Sequence, residues 1–270
     1  MKVITLLNQK GGVGKTSCTH HLAGAFAKRG RRVLLIDSDP QSSLTQGFLG
    51  PVTARAIEPS LTLAEVYASY GMVDLELLVR TTIIPGVDLV PGHRSLYKIN
   101  LPDPVTLDYE LQRSLAVFLE PLGNYDYVLI DCPPNLCLCS WGALVASTHI
   151  IVPLQAEDYG AQGIIDVQDS IDLVRENVNA NLEMLGFLIT MFNPRKLIHK
   201  LYSENLRTLY GSDVFEVAIP HATDYPEAIA ARKPVSMHKP RGVAAKAFDT
   251  LADEIEARLV SVAPVNREVA

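Results

Sequence analysis

A glycine-rich loop between a short apolar run and a helical pattern constrains this fold more than any other feature. The apolar run covers residues 3–7, and the loop reads Lys10-Gly11-Gly12-Val13-Gly14-Lys15-Thr16. Glycines let successive backbone N–H groups point inward at phosphate oxygens, and the helix that follows adds the positive end of its dipole. The spacing predicts that Lys15 reaches the β- and γ-phosphates of a nucleoside triphosphate and that Thr16 holds Mg²⁺. The predicted phosphate-binding residues are Lys10, Gly11, Gly12, Val13, Gly14, Lys15, Thr16 and Ser17.

Two positions of the loop depart from the general G-x-x-x-x-G-K-[ST] pattern. Gln9 stands where the pattern has glycine, and a second lysine, Lys10, opens the loop. A lysine beside a triphosphate can act within its own chain or across an interface, because a cation neutralises developing charge wherever it is supplied. The alternative interpretation of a glycine-rich stretch is a flexible turn. The required residues follow a strand here, which favours the phosphate loop.

The rest of the chain alternates β-branched runs with longer amphipathic stretches. This order is typical of an α/β fold with a doubly wound, mostly parallel sheet and helices on both faces. The predicted strands are 2–7, 32–36, 87–90, 126–130, 149–153, 186–192 and 214–219. The predicted helices are 15–29, 108–121, 160–178, 200–210 and 242–260. We expect a single P-loop domain over residues 1–260 and a tail over 261–270, with 51–62 as a long irregular connection.

Length, charge and hydropathy exclude several classes of protein. The apolar run 145–154 is interrupted by polar residues and is too short for a membrane span. The chain enters its first predicted strand at once, which leaves no room for a signal peptide. A formal net charge of −6 indicates that any contact with nucleic acid is local.

The four cysteines are not spaced as the disulfide framework of a secreted protein, which favours a reducing cytoplasm. Cys132, Cys137 and Cys139 lie close together, so a metal or Fe–S site has to be considered. No second cysteine cluster occurs elsewhere in the sequence to complete such a site. We therefore interpret these cysteines as small core residues.

Acidic residues follow two of the predicted strands. Asp37 and Asp39 come after the run 32–36, and Asp131 comes after 127–130. In open α/β sheets the ligand lies outside the carboxyl ends of the strands. An aspartate there can orient Mg²⁺ or position an attacking water. The alternative is an aspartate that forms a turn or caps a helix, and the phosphate loop in the same chain favours the functional role.

These residues and several short motifs resemble the deviant Walker A family of ATPases, which includes ParA partition proteins, MinD and the nitrogenase iron protein. The resemblance spans roughly residues 2 to 258. The ParA-type motifs are Asn8-Gln9 before the loop, Asp37-x-Asp39-Pro40-Gln41, Asp131-Cys132-Pro133-Pro134 and Pro153-x-Gln155-x-Glu157-x-Tyr159.

The resemblance implies that two subunits pack face to face around ATP, with Lys10 crossing the interface to the phosphates of the other subunit. It implies that Asp39 orients the hydrolytic water, that Asp131 is the Walker B residue on the Mg²⁺ shell, and that Asp37 is a supporting acid. The implied catalytic residues are Lys10, Lys15 and Asp39. The implied metal-site residues are Thr16, Asp39 and Asp131.

Two further positions match the adenine pocket of the family. Asn193 follows the run 188–192, and Pro220 follows 217–219. Asn-Pro and Ile-Pro pairs also open loops in many proteins, so the alternative of a plain loop opener stays open for both residues.

A basic stretch near the carboxyl terminus contains no acid between Glu227 and Asp249. Charge runs are usually solvated faces, but family members bind DNA through basic residues on this side, which implies a DNA surface here. His221 weakens the match, because many relatives carry arginine after the proline. The candidate DNA-binding residues are Arg195, Arg232, Lys233, Lys239, Arg241 and Lys246.

Taken as a ParA-type sequence, the chain is expected to be a Mg²⁺-dependent ATP hydrolase with weak intrinsic activity and to form a homodimer with ATP. The expected partners are nonspecific double-stranded DNA and a ParB-like adaptor that stimulates hydrolysis, in a cytoplasmic, nucleoid-associated protein that segregates plasmid or chromosomal DNA. The alternatives are a MinD-like ATPase that positions a protein assembly or membrane-bound cargo, and an ATP-dependent enzyme acting on a small molecule. The tail is interrupted by Pro264 and lacks a basic face, which argues against membrane binding.

Overall fold

A computed structural model describes residues 1–156 and 161–261 of this chain. A seven-stranded sheet runs through it in the order β3-β4-β2-β5-β1-β6-β7. All neighbouring strands are parallel except β3 and β4. The strands are β1 (Lys2–Leu6), β2 (Val33–Asp37), β3 (Arg80–Thr81), β4 (Val87–Val90), β5 (Tyr127–Asp131), β6 (His149–Gln155) and β7 (Glu183–Thr190). This arrangement confirms the predicted fold class.

Helices cover both faces of the sheet, and successive strand residues pack on opposite faces. Ile36 and Ile130 belong to the apolar cluster on one face, whereas Leu35 and Leu129 belong to the cluster on the other. The helices are α1 (Lys15–Lys28), α2 (Ser43–Leu49), α3 (Pro51–Ala56), α4 (Leu63–Ala68), α5 (Leu75–Leu78), α6 (Leu96–Ile99), α7 (Tyr109–Gln112), α8 (Ser114–Leu119), α9 (Leu138–Ala146), α10 (Ala161–Asn177), α11 (Leu197–Tyr210), α12 (Asp224–Ala230), α13 (Val235–His238) and α14 (Val243–Ser261).

Helix α1 packs without a gap against the segment before α13. A Cβ added at Gly24 would lie 2.1 Å from Cβ of Pro234 and 2.9 Å from Oγ of Ser236, so only glycine permits this approach. His21 on the same helix accepts a hydrogen bond at Nδ1 from the Val235 N–H, at 3.1 Å. The helix that begins in the glycine-rich loop is therefore locked to residues 234–236.

His20, beside His21, is buried among rings rather than hydrogen bonds. Its ring centroid lies 4.2 Å from that of Phe48 on α2, and neither ring nitrogen has a partner among the described residues. Burial lowers the pKa of His20 to about 4, with the Lys233 backbone acting in the opposite direction. His20 is thus a neutral packing residue that joins α1 to α2.

The four cysteines lie in the core, as predicted for small apolar residues. Cys132, Cys137 and Cys139 are buried in the cluster on one face of the sheet, and Cys18 is buried in the cluster on the other. Burial raises the pKa of the Cys18 thiol to about 12, so this thiol stays protonated.

Three of the predicted segments have a different structure, and several helices, among them α2 and α9, were not predicted. The predicted irregular connection 51–62 contains α3 and a 3₁₀ turn, Pro59–Leu61. Pro51 opens α3 at a position where proline is favoured. The predicted helix 108–121 is divided at Arg113, which ends α7 and precedes α8 (φ −88°, ψ −2°).

The third difference is the predicted strand 214–219, which is not a strand. The segment follows β7 through two bonds, from the Phe215 N–H to the Phe187 carbonyl at 2.9 Å and from the Ile219 N–H to the Ile189 carbonyl at 2.8 Å. Between them, the N–H groups of residues 216 and 217 donate to the Glu254 carboxylate on α14, at 2.9 and 3.2 Å. The Glu254 side chain therefore binds two backbone N–H groups of this segment, and the segment does not form a continuous strand beside β7.

Candidate nucleotide-binding site

The glycine-rich loop adopts a conformation that requires its glycines. Gly12 and Gly14 have φ values of 79° and 88°, in the left-handed region that other residues rarely enter. Gly14 directly precedes α1, so the loop delivers its N–H groups to the helix N-terminus. The geometry is that of a phosphate cradle at the carboxyl end of β1.

Lys15 lies inside this cradle. Its Nζ donates to the carbonyl oxygens of Asn8, at 2.8 Å, and Lys10, at 2.9 Å. The residue is 7% exposed. Burial lowers its pKa, while the nearby Asp131 acts in the opposite direction. Its ammonium group is therefore held at the place where a triphosphate would meet the loop.

Neighbouring elements tie the loop down by polar contacts. The Asn8 side chain donates to the Pro153 carbonyl, at 2.8 Å, and accepts from the Lys10 N–H, at 2.8 Å. The Thr190 hydroxyl donates to the Val13 carbonyl, at 2.9 Å. The loop is thus braced by β6 and β7 before any ligand binds. Thr190 carried no signal in the sequence, because a threonine ending an apolar run is common.

Gln9, which replaces the usual glycine, has a role that sequence reasoning missed. Its Nε2 donates to the Asp166 carbonyl, at 3.1 Å, and to the Ser170 hydroxyl, at 3.0 Å, both on α10. The side chain therefore anchors the loop to a helix on the far side of β6.

The two lysines of the loop differ in exposure. Lys15 is buried, as described above, whereas the side chain of Lys10 is exposed at the opening of the loop. The Lys15 ammonium thus lies inside the phosphate cradle, whereas the Lys10 side chain lies at the protein surface.

Asp37 and Asp131 end neighbouring strands at the same register, and both are fully buried. The Asp37 carboxylate accepts from the N–H and hydroxyl of Thr45, at 2.8 and 2.6 Å, and from the Asp39 N–H, at 3.3 Å. Burial raises the pKa of Asp37 to about 7, although the Thr45 hydrogen bonds act in the opposite direction. Asp37 therefore supports the loop that carries Asp39.

Asp131 has the opposite environment. Neither carboxylate oxygen has a hydrogen-bond partner within the described ranges. Burial and then the neighbouring Asp37 raise its pKa well above the ordinary value, while the nearby Thr16 hydroxyl and Lys15 ammonium lower it. A buried carboxylate without a protein donor, close to the threonine of a phosphate loop, fits the shell of a divalent cation.

Asp39 lies half-buried just beyond the end of β2. Its Oδ1 accepts a hydrogen bond from the Gln41 N–H, at 2.8 Å. The structure thus places the three acids together at the carboxyl ends of β2 and β5, beside the phosphate cradle.

An apolar cavity of about 240 Å³ adjoins the loop. Pro220 lines it, and Asn193 does not; the Asn193 side chain instead accepts from the Arg195 N–H, at 2.9 Å. The adenine contact of each residue stays a prediction. The lining residues are Gly14, Ser17, Cys18, Thr190, Met191, Ile219, Pro220, His221, Ala222, Thr223, Tyr225 and Pro226.

The candidate DNA-binding residues are all exposed, but they are not equally available. Lys239 forms ion pairs with Asp224, at 2.6 Å, and Glu227, at 2.7 Å. The fold brings these acids back to the basic stretch because α12 and α13 pack together. Of the six candidates, those that form no ion pair with any described residue are Arg195, Arg232, Lys233, Arg241 and Lys246.

Parts of two predictions lie outside the described residues. They are Glu157 and Tyr159 of the ParA-type motif and residues 262–270 of the tail. In the ranges 1–156 and 161–261, no helix has the length and apolar character that crossing a bilayer requires.

The sequence is similar to known proteins over most of its length. Residues 1–184 match a family model described as an AAA domain. The chain is 36% identical over 258 residues to the chromosome-partitioning ATPase Soj of Thermus thermophilus, with 95% of this chain and 96% of that protein covered. It is 33% identical over 261 residues to the chromosome partitioning protein ParA of Caulobacter vibrioides, covering 96% and 95%.

A solved structure shows the same fold over nearly the whole chain. Cobyrinic acid a,c-diamide synthase from Mycobacterium smegmatis, with bound ADP and magnesium, superposes with a TM-score of 0.78 at 27% identity. The superposition covers 97% of this chain and 96% of that chain.

Proposed function

Because this chain belongs to the ParA-type family of P-loop ATPases, we propose that it is an ATP-operated dimerisation switch that segregates plasmid or chromosomal DNA. ATP joins two copies, the dimer binds double-stranded DNA without sequence preference, and hydrolysis separates the copies. The observation that carries the proposal is the contrast between the buried Lys15 and the exposed Lys10. One lysine completes the phosphate cradle, and the other lies exposed at the opening of the loop, on the side from which a second copy would approach.

The residues of the cradle bind ATP and Mg²⁺ in this proposal. Backbone N–H groups of residues 11–14 and the Lys15 ammonium hold the phosphates, and Thr16 and Ser17 follow at the helix N-terminus. Thr16 and Asp131 hold the cation, whose charge, when it is bound, offsets the negative charge of the phosphates. Pro220 and Asn193 are proposed to lie against the adenine.

Asp39 is proposed to position the attacking water. Its half-buried carboxylate lies beyond the strand end, and one of its oxygens is already held by the Gln41 N–H. Positioning accounts for most of the catalysis of phosphoryl transfer, because the protein supplies little covalent chemistry there. In this proposal the site takes one of its two lysines, Lys10, from the other subunit. A monomer therefore lacks that cation and has weak activity.

The proposed partners follow from charge. With a net charge of −6, the chain can hold DNA only through a local basic surface, and the exposed cations of the basic stretch and Arg195 supply it. Two copies double the number of phosphate contacts, so dimerisation raises affinity without any change in the basic residues. We place this single-domain protein in the cytoplasm on the nucleoid, with a ParB-like adaptor that stimulates hydrolysis.

Light scattering with ATP tests the role of Lys10. Lys10→Ala is expected to bind ATP and remain a monomer, because its own cradle keeps Lys15 and the loop amides. Lys15→Ala is the matched control and is expected to lose nucleotide binding itself. An ATP-dependent dimer of normal stability from Lys10→Ala would remove the trans role of Lys10, and an unmodified protein that stays monomeric with ATP would overturn the dimerisation switch.

A second candidate function is an ATP-dependent enzyme that acts on a small molecule. The structural likeness to the diamide synthase, at a TM-score of 0.78, favours it. DNA binding distinguishes the two candidates, because only the switch requires affinity for DNA that rises with ATP. Fluorescence anisotropy of labelled duplex DNA with ATP and with ADP makes the comparison.

A further inference from the structure

Several stretches of this chain share the freedom from acids seen near the carboxyl terminus, and two of them lie beside α2. Residues 40–57, 89–102 and 228–248 contain no aspartate or glutamate, although the chain has 30 acidic residues. Only the last stretch belongs to the DNA surface proposed above. The lysines and arginines of the three stretches are Arg55, Arg94, Lys98, Arg232, Lys233, Lys239, Arg241 and Lys246.

The fold brings the three stretches together around α2. A cavity of about 350 Å³ on one side of α2 is lined by residues of the first two stretches, including Arg55, His93 and Arg94. A smaller cavity on the other side is lined by Arg232 of the third stretch. Gln46 lines both cavities, so the basic surface continues from the carboxyl-terminal stretch across α2 to Arg55 and Arg94.

Arg55 and Arg94 are available for a ligand. Both are exposed, and neither forms an ion pair with any residue within the part of the chain that the structure describes. Lys239, by contrast, is held by two carboxylates. Burial and the nearby Arg94 lower the pKa of His93, whereas the nearby acid Glu58 raises it by less.

His93 adds a third hydrogen-bond donor to the cavity. Its Nδ1 accepts from the Ser95 N–H, at 3.1 Å, so the neutral ring carries its proton on Nε2. Two guanidinium groups and an imidazole N–H donate but do not accept. Such a set of groups binds oxyanions, and the planar fork of arginine matches phosphate in a bidentate manner.

We propose that this cavity, between α2, α3 and α6, binds a phosphate of the DNA backbone through Arg55 and Arg94. The inference rests on the proposed function and extends its DNA surface to the amino-terminal half of the chain. DNA is favoured over an isolated anion because the cavity lies on the same basic surface as Arg232, separated from it only by the width of α2.

The cavity also contacts the loop that carries Asp39. The Gln41 side chain, which lines the cavity, donates to the Tyr97 hydroxyl on its other wall. The Gln41 N–H donates to the Asp39 carboxylate at 2.8 Å. A phosphate in the cavity thus lies two contacts from the residue that positions the water, so DNA bound here changes the rate of hydrolysis.

The test compares the double variant Arg55→Ala/Arg94→Ala with Lys98→Ala. Lys98 is an exposed cation of the same acid-free stretch that does not line the cavity. DNA affinity is measured with ATP by fluorescence anisotropy at several salt concentrations. Each lost phosphate contact reduces the log–log salt slope by about 0.9, so the double variant is expected to lose about 0.9 per subunit and Lys98→Ala to retain the full slope.

ATP hydrolysis with and without DNA gives the second readout. The ratio of the two rates is expected to fall to near one in the double variant and to stay as in the unmodified protein in Lys98→Ala. Arg55→Lys/Arg94→Lys keeps both charges and guards against a folding defect; it is expected to retain most of the salt slope. Light scattering with ATP verifies that each variant still forms the dimer.

The outcomes separate this inference from the function on which it rests. An unmodified protein without ATP-dependent DNA binding would remove the proposed function. Normal DNA binding with an unchanged slope in the double variant would overturn the cavity assignment alone. The last experiment adds inorganic phosphate at constant ionic strength and measures stability against unfolding. If phosphate stabilised the unmodified protein but not the double variant, while both had the same salt slope for DNA, the cavity would be a small-anion site. That result would also overturn the proposal.

Discussion

The ends of β2 and β5 carry two buried aspartates in matching positions, and the protein treats them in opposite ways. Asp37 accepts three hydrogen bonds from its surroundings, whereas the oxygens of Asp131 have none from the described residues. A buried carboxylate without donors costs several kcal/mol unless something else satisfies it. The difference teaches that Asp37 is satisfied by the fold itself, whereas Asp131 keeps the oxygens that the proposed metal site requires.

The pair also explains why this edge of the sheet favours a cation. Burial raises the pKa of both groups; the nearby Asp37 raises the pKa of Asp131 further, and the nearby Asp39 raises that of Asp37. Lys15 offsets part of this charge at Asp131, but it is committed to the loop carbonyls. A divalent ion held by Asp131 and Thr16 would allow both acids to be ionised at neutral pH.

The largest effect should come from removing the charge of Asp131. We expect Asp131→Asn to slow Mg²⁺-dependent ATP hydrolysis by about a thousandfold, because the cation loses its anionic holder at the phosphates. Asp37→Asn, one strand away, should slow it by less than about tenfold. Single-turnover hydrolysis at saturating Mg²⁺ measures both; rates for the two variants within a factor of about three would abolish the distinction between the aspartates.

Stability should show the reverse order. Asp37→Ala is expected to lower the free energy of unfolding by about 3 kcal/mol, because the buried donors of Thr45 and Asp39 lose their acceptor. Asp131→Asn should leave it unchanged or raise it by about 1 kcal/mol without Mg²⁺, because an unpaired buried charge disappears. Urea denaturation without nucleotide or metal is the measurement, and a larger loss for Asp131→Asn than for Asp37→Ala would contradict the comparison.

His20 gives the smallest effect and extends the comparison to a buried group that no ligand needs. Its pKa of about 4 means that the native state stays neutral while the unfolded state gains a proton below about pH 6.5. The contribution of neutral His20 to the free energy of unfolding is therefore fully present above about pH 6.5. It falls by about 2 kcal/mol as the pH is lowered to 5.

In His20→Leu, the free energy of unfolding is expected to fall less between pH 7 and pH 5, because this contribution is absent. His221→Leu, which replaces an exposed histidine, is the matched control and should leave the limb as it is. Urea midpoints between pH 7 and 5 compare them. An acid limb of the same steepness in His20→Leu would show that His20 is not held neutral.

Sequence reasoning succeeded where a local pattern carries the information. The glycine-rich loop, β4 and the strands before Asp37 and Asp131 could be predicted because apolar runs and required glycines are contiguous in the chain. The prediction of a strand over 214–219 was wrong because Glu254, on a helix far along the chain, takes two of its N–H groups. No local pattern contains that competition.

The site shows the same division. The placement of three acids at one edge followed from parallel strands, but the difference between Asp37 and Asp131 depends on Thr45, which returns to β2 only after α2 begins. The engagement of Lys239 by Asp224 and Glu227 was also hidden, because both acids precede the acid-free stretch and reach it only through the reversal between α12 and α13.

The contact between Gly24 and Pro234 limits how the protein can convert chemistry into movement. There is no space between α1 and residues 234–236. The helix that follows the phosphate cradle is therefore coupled directly to the part of the basic stretch around Pro234. A closely packed interior transmits strain rather than absorbing it. In the proposed dimer, the movement that follows hydrolysis would therefore occur between the two subunits, and a larger side chain at Gly24 would weaken the coupling between α1 and residues 234–236.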